Sequence, residues 1–352
     1  MNLPKGKEDP QELLLLAGWF MDLKEWSITD KFAKVVSENS DKSYKKEAYQ
    51  LLVVSSFQQK EYEKSEHLLR KLMEQEPQEE KHRIFLAHTL SCQKKYAEIA
   101  PLLEDIPEEK QIAELPLLVM SWLEYKEPLE IFEEVLHLLY KYSATASVWH
   151  RVSEALYDFP QLCIPLVRRA CRQEPTNEKY LRHLFFSQAR LKNSAKTEEI
   201  LSLYTERFGD TREYNEMLVS LSFMQRNWVK VIELTSENAL EGGVCAAMWC
   251  HYKLKNKSQA LSLASQKNTE AIETAEFQYN AMLVEFMWGK TKKGLLRLAH
   301  CTESETDCYF VLEGLRLLEE ELTLHPNNSE LRLAYACFLR KSQEEEKAQK
   351  DS

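Results

Sequence analysis

Nine positions recur along this chain at nearly one spacing: Trp26, Tyr62, Tyr96, Pro128, Pro160, Ser194, Trp228, Lys257 and Thr291, separated by 36, 34, 32, 32, 34, 34, 29 and 34 residues. A period of that size predicts a solenoid, a stack of helical hairpins in which each unit buries its apolar faces only against its neighbours. Other columns keep the phase. Three residues after each marker stand Thr29, Ser65, Ile99, Ile131, Cys163, Thr197, Val231, Ala260 and Gly294, most of them small enough for two helix backbones to approach. Seven residues after each marker stand Ala33, Leu69, Leu103, Val135, Val167, Leu201, Thr235, Ala264 and Leu298, an apolar stripe broken once.

Glycine is scarce, 8 in 352 residues, where average usage of about 7% would give roughly 25. That scarcity predicts that few turns use left-handed backbone and that the chain is mostly helix. Its length would ordinarily mean two or three globular domains, but a solenoid needs no single growing core. The formal charge of −10 disfavours nonspecific binding to nucleic acid or anionic membrane while leaving local basic patches open. Eight cysteines sit mostly in apolar helical stretches without a CxxC pair, and read as buried thiols of a reducing compartment.

The apolar run Leu13 to Phe20 is short and lacks the flanks of a secretory signal, so it reads as the first amphipathic helix. Elsewhere the apolar runs fall below the ~20 residues that cross a bilayer. The expectation is a cytoplasmic protein without membrane insertion, its sequons at Asn256 and Asn327 unused.

The clearest unit runs from about Lys45 to Pro77. Ala48, Leu51, Leu52 and Ser55 form a helical stripe, Gln59-Lys60-Glu61 a polar turn, and Tyr62 opens a second helix with Ser65, Leu68, Leu69 and Leu72 facing inward. Pro77 stops it. The next unit repeats the plan with Ile84, Leu86, Ala87 and Leu90, then Lys94-Lys95-Tyr96, then Ile99, Leu102, Leu103 and Ile106 up to Pro107.

These residues resemble the tetratricopeptide repeat, a 34-residue helix-turn-helix with an aromatic near the turn, a small residue beginning the second helix and a proline closing it. Glu61-Tyr62-Glu63-Lys64-Ser65 followed by Glu76-Pro77 is the best match, with weaker ones at Ala195-Lys196-Thr197, Asn227-Trp228-Val229-Lys230-Val231, Lys257-Ser258-Gln259-Ala260 and Glu174-Pro175-Thr176-Asn177. The small residue that the family prefers in the first helix is Ala87 in one unit but Val53, Phe185 or Met248 in others, which leaves a related array such as half-a-tetratricopeptide repeats open. The expected fold is all-α: a right-handed α-solenoid of about nine tetratricopeptide-like hairpins over residues 11–302, after an N-terminal extension at 1–10. Capping helices follow at 303–341, comprising a helix from Cys308 to Leu324, the turn His325-Pro326-Asn327-Asn328 and a last helix from Glu330 to Arg340, before a charged tail at 342–352 expected to fray. Residues 104–114, and Glu241-Gly242-Gly243 before the short gap of 29, mark expected changes of superhelical curvature.

No catalytic, cofactor or metal site is expected. Gly289-Lys290-Thr291 echoes the end of a phosphate-binding loop, but the position five residues before Gly289 is Val284 in a helical run. Gly289 instead suits a chain leaving a helix in left-handed geometry. Cysteines and histidines lack the paired short spacings of a structural zinc site.

The most informative charge pattern is at 166–192, where Arg168, Arg169, Arg172, Lys179, Arg182, Arg190 and Lys192 meet only Glu174 and Glu178. In the family the first helix of each hairpin lines the concave groove, which implies that Lys179, Tyr180, Arg182, His183 and Arg190 face it. They form a candidate anchor for an acidic peptide or a partner's C-terminal tail. The plainer alternative is ordinary surface, its arginines paired to acids on adjacent hairpins. A second candidate is the aromatic concentration that includes Trp249 and Tyr252, part of which must be core and part of which could take an amphipathic helix. The chaperone-type carboxylate clamp does not carry over, because the corresponding positions hold Lys46 with Gln50 and Lys81 with Phe85, without the asparagines.

The resemblance implies a non-catalytic scaffold, adaptor or chaperone that holds a segment of another protein. The alternatives are a non-catalytic helical-repeat subunit of an enzyme complex of the prenyltransferase α-subunit kind, and nucleic-acid binding through the basic stretch. No small-molecule substrate is implied.

Overall fold

The computed structural model describes residues 9–237, 243–265, 275–290 and 294, and, toward the C-terminus, 319, 322–329, 331–333, 335 and 336. Every described regular element is helical. The chain divides into two compact units, residues 1–175 and 176–352.

In the first unit the hairpins are α1 (Pro10–Asp22) with α2 (Trp26–Asn39), α3 (Lys42–Gln58) with α4 (Tyr62–Gln75), and α5 (Glu80–Cys92) with a 3₁₀ turn at Tyr96–Glu98 and the short α6 (Ala100–Leu103). Then come α7 (Glu108–Gln111), a 3₁₀ turn at Ile112–Glu114 and α8 (Leu115–Trp122) with α9 (Pro128–Lys141), followed by α10 (Ala146–Ala155) with α11 (Pro160–Gln173). In the second unit α12 (Glu178–Arg190) pairs with α13 (Ser194–Phe208), α14 (Arg212–Met224) with α15 (Trp228–Glu237) and α16 (Gly243–Lys253) with α17 (Lys257–Ala264), and α18 (Ala275–Met287) follows. Neighbours pack in succession: α12 touches α13 and α14, α14 touches α15 and α16, and α16 touches α17 and α18. The molecule is an all-α solenoid of helical hairpins.

Each described marker of the 34-residue phase is the first residue of a hairpin's second arm. The column three residues later is fully buried from Thr29 to Ala260, because there the second helix crosses the first at close range. The hydroxyls in this column find acceptors: Thr29 Oγ1 donates to Ala17 O at 3.4 Å and Ser65 Oγ to Val53 O at 3.3 Å, each on the partner helix twelve residues back. A buried hydroxyl left unpaired would cost about 1–3 kcal/mol. One arm departs from expectation. Tyr96 begins a 3₁₀ turn, and the α-helix starts only at Ala100, since Pro101 has no N–H and fits only a helix's first turn.

The turns correct one expectation. Left-handed backbone is not rare here: two residues before the marker, Lys24, Lys60, Lys94, Lys192, Arg226 and Lys255 take φ between 54° and 63°, and Gly289 takes 71°. In these six hairpins, though not in those whose second arms begin at Pro128 and Pro160, the first helix closes by a Schellman motif. Lys24 N–H donates to Met21 O and Glu25 N–H to Phe20 O, both at 2.9 Å, and the pattern repeats at Lys60 and Glu61, at Lys192 and Asn193, and at Lys255 and Asn256. Lysine fills the role usually given to glycine. Left-handed geometry costs an L-residue roughly 1–2 kcal/mol, and a cation at a helix C-terminus recovers about 0.3–1 of it through the macrodipole. Glycine scarcity therefore reported helix content correctly but turn geometry wrongly.

Of the expected features, residues 1–8, Glu241 and Gly242 before α16, Cys308 and the tail at 342–352 lie outside the described residues, as does most of the expected cap. The turn at 325–328 is present between helical residues 322–324 and 331–333, with Asn328 Oδ1 accepting from Leu331 N–H at 3.2 Å. No helix among the described residues is long and apolar enough to cross a membrane.

Candidate protein-binding face

Helix α12 buries Tyr180, Leu181, Leu184, Phe185, Ser187, Gln188 and Ala189. What it leaves outward is a stripe at helical spacing: Lys179 is exposed, and Arg182, His183, Phe186 and Arg190 are half-buried. Side chains three and four apart share a helix face, so these residues form one surface.

The next first helix, α14, places Glu213, Glu216, Ser220 and Met224 at the same four register positions, each 34 residues on from Lys179, Arg182, Phe186 and Arg190. Arg182 Nη2 lies 3.2 Å from Glu216 Oε2, and Arg212 Nε lies 3.4 Å from Glu216 Oε1. Glu213 is held below the usual carboxyl range, first by its own backbone N–H and then, against the opposing pull of burial, by Thr211, Arg182 and Arg212. The basic stripe is thus met by an acidic one, as the plainer reading of the arginines expects for Arg182. The acids do not occur within 179–192, so α12 viewed alone does not reveal them. The 34-residue offset does.

Below this face Tyr204 of α13 ties the two hairpins. Its hydroxyl donates to Glu178 and lies 3.0 Å from Thr211 Oγ1. Burial, with the Glu178 carboxylate, pushes the phenol up to about 12, so it remains a donor.

The remaining candidates lie inside. Tyr180 is 5% exposed, Trp249 is 0% exposed, and Tyr252 is buried against both Trp249 and Trp288, with ring centroids 6.0 and 5.1 Å away. Trp249 Nε1–H donates to Asn280 Oδ1 at 2.6 Å, which joins α16 to α18 and satisfies the one polar atom of the indole. These three side chains build the core rather than a surface that a partner segment can reach. A first helix in this array packs on both flanks, so its apolar arc is wider than a one-sided helix would need.

The other motifs resolve structurally. Gly289 closes α18, with Lys290 N–H donating to Glu285 O at 2.7 Å, in phase with the other turns. Thr291 lies outside the described residues. Burial pushes the Cys250 thiol well up, toward an inert neutral group. No cluster of three or more His, Cys, Asp or Glu positioned to hold a metal occurs among the described residues.

No protein-family model matches the chain, and no curated protein does. Among solved structures, a tetratricopeptide repeat protein from Parabacteroides merdae matches with 11% identity over 77% of this chain and 98% of its own, at a TM-score of 0.52. The APC/C hetero-tetramer Cut9-Hcn1 matches with 13% identity over 88% of this chain and 59% of that one, at a TM-score of 0.41. The first likeness places the fold among tetratricopeptide-like helical repeats.

Proposed function

We propose that this chain is a non-catalytic scaffold of the adaptor or chaperone kind, working in the cytoplasm, that holds a segment of a partner protein across the outward faces of α12 and α14. The observation that carries the reading is the paired stripe. Lys179, Arg182, Phe186 and Arg190 stand beside Glu213, Glu216, Ser220 and Met224 at matched register, on rigid helices that lose little entropy on binding. The partner's acidic group would be read by the cations of this stripe, Lys179, Arg182 and Arg190, with Phe186 among them offering apolar contact. The segment this fits is an acidic peptide, a C-terminal tail or an amphipathic helix carrying an acidic residue and an apolar anchor. Free thiols at Cys92, Cys163, Cys171, Cys245 and Cys250 fit a reducing compartment.

A photo-crosslinking residue at Phe186, compared with one at exposed Glu206 on α13, tests the reading in cells. The expected result is one protein crosslinked from position 186 alone and lost in Lys179→Glu/Arg190→Glu with helix content unchanged. Equal crosslinking from both positions, or crosslinking indifferent to the double variant, removes it.

A further inference from the structure

The turn edge of the second unit carries a charge that neither the fold nor the proposed face explains. Count Lys, Arg, Asp and Glu from three residues before each marker to three after. The five turns of residues 1–175 hold 6 cations and 7 acids, whereas the four turns of residues 176–352 hold 9 cations and no acid. This edge is a physical row. Because α12, α14, α16 and α18 pack in sequence and run parallel, their C-termini fall side by side, roughly 8–10 Å apart as packed helices do.

Two sets of cations make the row. Lys192, Arg226 and Lys255 occupy the left-handed closing position of each first helix, where the macrodipole favours them. Lys196, Lys230 and Lys257 sit in the first turn of the following helix, where the same macrodipole opposes a cation. Stability therefore does not account for the second set. The first unit shows the ordinary choice, acids in that turn: Glu63 on α4, Glu98 before α6 and Glu130 on α9. Three of its six turn lysines are also held, Lys64 by Asp30, Lys95 by Glu66 and Lys126 by Glu134, whereas Lys24, Lys60 and Lys94 at the closing position form no ion pair among the described residues. Among the described residues, Lys192, Lys196, Arg226, Lys230 and Lys255 form no such pair.

Aliphatic side chains lie between these cations: Leu191 is 38% exposed, Val229 57% and Leu254 44%. We infer that this edge docks on an anionic lipid surface, through the lysines of the turns and with Leu191, Val229 and Leu254 reaching the headgroup boundary. Lysine outnumbers arginine, giving hydrated point charges rather than the planar forks that select a carboxylate or phosphate bidentately. The site is a row of chain reversals rather than a groove, which suits a plane better than a peptide. Exposed aliphatics, with no exposed ring on the described edge, suit a bilayer better than bases that stack on aromatic platforms. The mode is adsorption, without a spanning segment.

The test uses the full chain and sedimentation with vesicles of phosphatidylcholine, with and without 30% phosphatidylserine. Binding is expected only to the anionic vesicles and should fall as salt rises. Each lysine near such a surface is worth about fivefold in partitioning. Lys192→Asn/Arg226→Asn/Lys255→Asn, which keeps a residue tolerant of left-handed backbone, should therefore bind on the order of 100-fold more weakly. Lys24→Asn/Lys60→Asn/Lys94→Asn removes the same charge from the same turn position in the first unit, and should bind as the parent does. Leu191→Asn/Leu254→Asn should abolish the part of binding that survives salt. No binding to anionic vesicles, equal loss in the two triple variants, or tighter retention of polyglutamate or of single-stranded nucleic acid than of vesicles would overturn the inference. Matched melting temperatures of the two triple variants exclude unfolding as the cause of a difference.

Discussion

A lysine at φ near 60° is uncommon, and six in-phase lysines or arginines in that geometry need a physical cause. Each stands one residue beyond the cap of a first helix, where unsatisfied carbonyls concentrate negative potential and a flexible cation can lie over them. Glycine would relieve the backbone but would add entropy to the unfolded chain and lose the charge. The two choices nearly balance. A β-branched residue has neither advantage, so Lys60→Val should lower stability by at least about 1 kcal/mol, while Lys60→Asn should change it by less than about 0.5. Urea unfolding of both variants followed by circular dichroism checks this. Equal midpoints for Val and Asn would show that the turn relaxes out of left-handed geometry.

Between helices, the contact that sets the repeat is the fully buried column three residues into each second arm. Its members differ in chemistry, from Thr29 and Ser65 to Ile99 and Cys163, yet all are excluded from water. What the position demands is close approach, with polar members returning a hydrogen bond to the facing helix. Ser65→Leu inserts bulk where Ser65 Oγ reaches Val53 O, and should cost about 1–3 kcal/mol by overpacking. Ser65→Ala should cost less. A Leu variant as stable as the parent would place the close approach elsewhere. This column was legible in the sequence because a buried, phase-locked position constrains size even where identity drifts. Turn geometry was not, since lysine supplies what glycine usually signals. Nor was the depth of Tyr180 and Trp249, because apolar periodicity marks a helix's buried arc without saying how wide the arc is when neighbours pack on both flanks. Arg182 lay between these cases: its acid partner on α14 was readable one repeat away, but not from the charge of α12.

Within the first unit, carboxylates tie the stack together at long sequence range, Glu66 joining one hairpin to the next and Glu76 and Glu108 joining the two arms of their own hairpins. Glu66 accepts from Arg70 on its own helix and from Gln93 and Lys95 of the next hairpin. Glu76 meets Lys46 at 2.6 Å, and Glu108 meets Lys141 at 2.5 Å and Tyr142 at 2.9 Å. All three sit below the ordinary carboxyl value of 4.5. For Glu66 burial pulls upward and the hydrogen bonds from Lys95, Gln93 and Arg70 outweigh it, while for Glu76 and Glu108 the bond from the lysine dominates. A carboxyl depressed in the folded state adds stability that is present above its unfolded value and lost as pH falls through its folded value. Stability should therefore hold from neutrality to about pH 5 and decline below about 4.5, without a compensating gain from any of these groups. Each pair is partly exposed and screened, so Glu66→Gln should cost only about 1 kcal/mol at pH 7 and should flatten the decline below pH 4.5 rather than steepen it. Urea midpoints for parent and variant between pH 3 and 7 measure both effects. Parallel curves would mean that Glu66 titrates alike folded and unfolded, and that apolar stacking alone joins these hairpins.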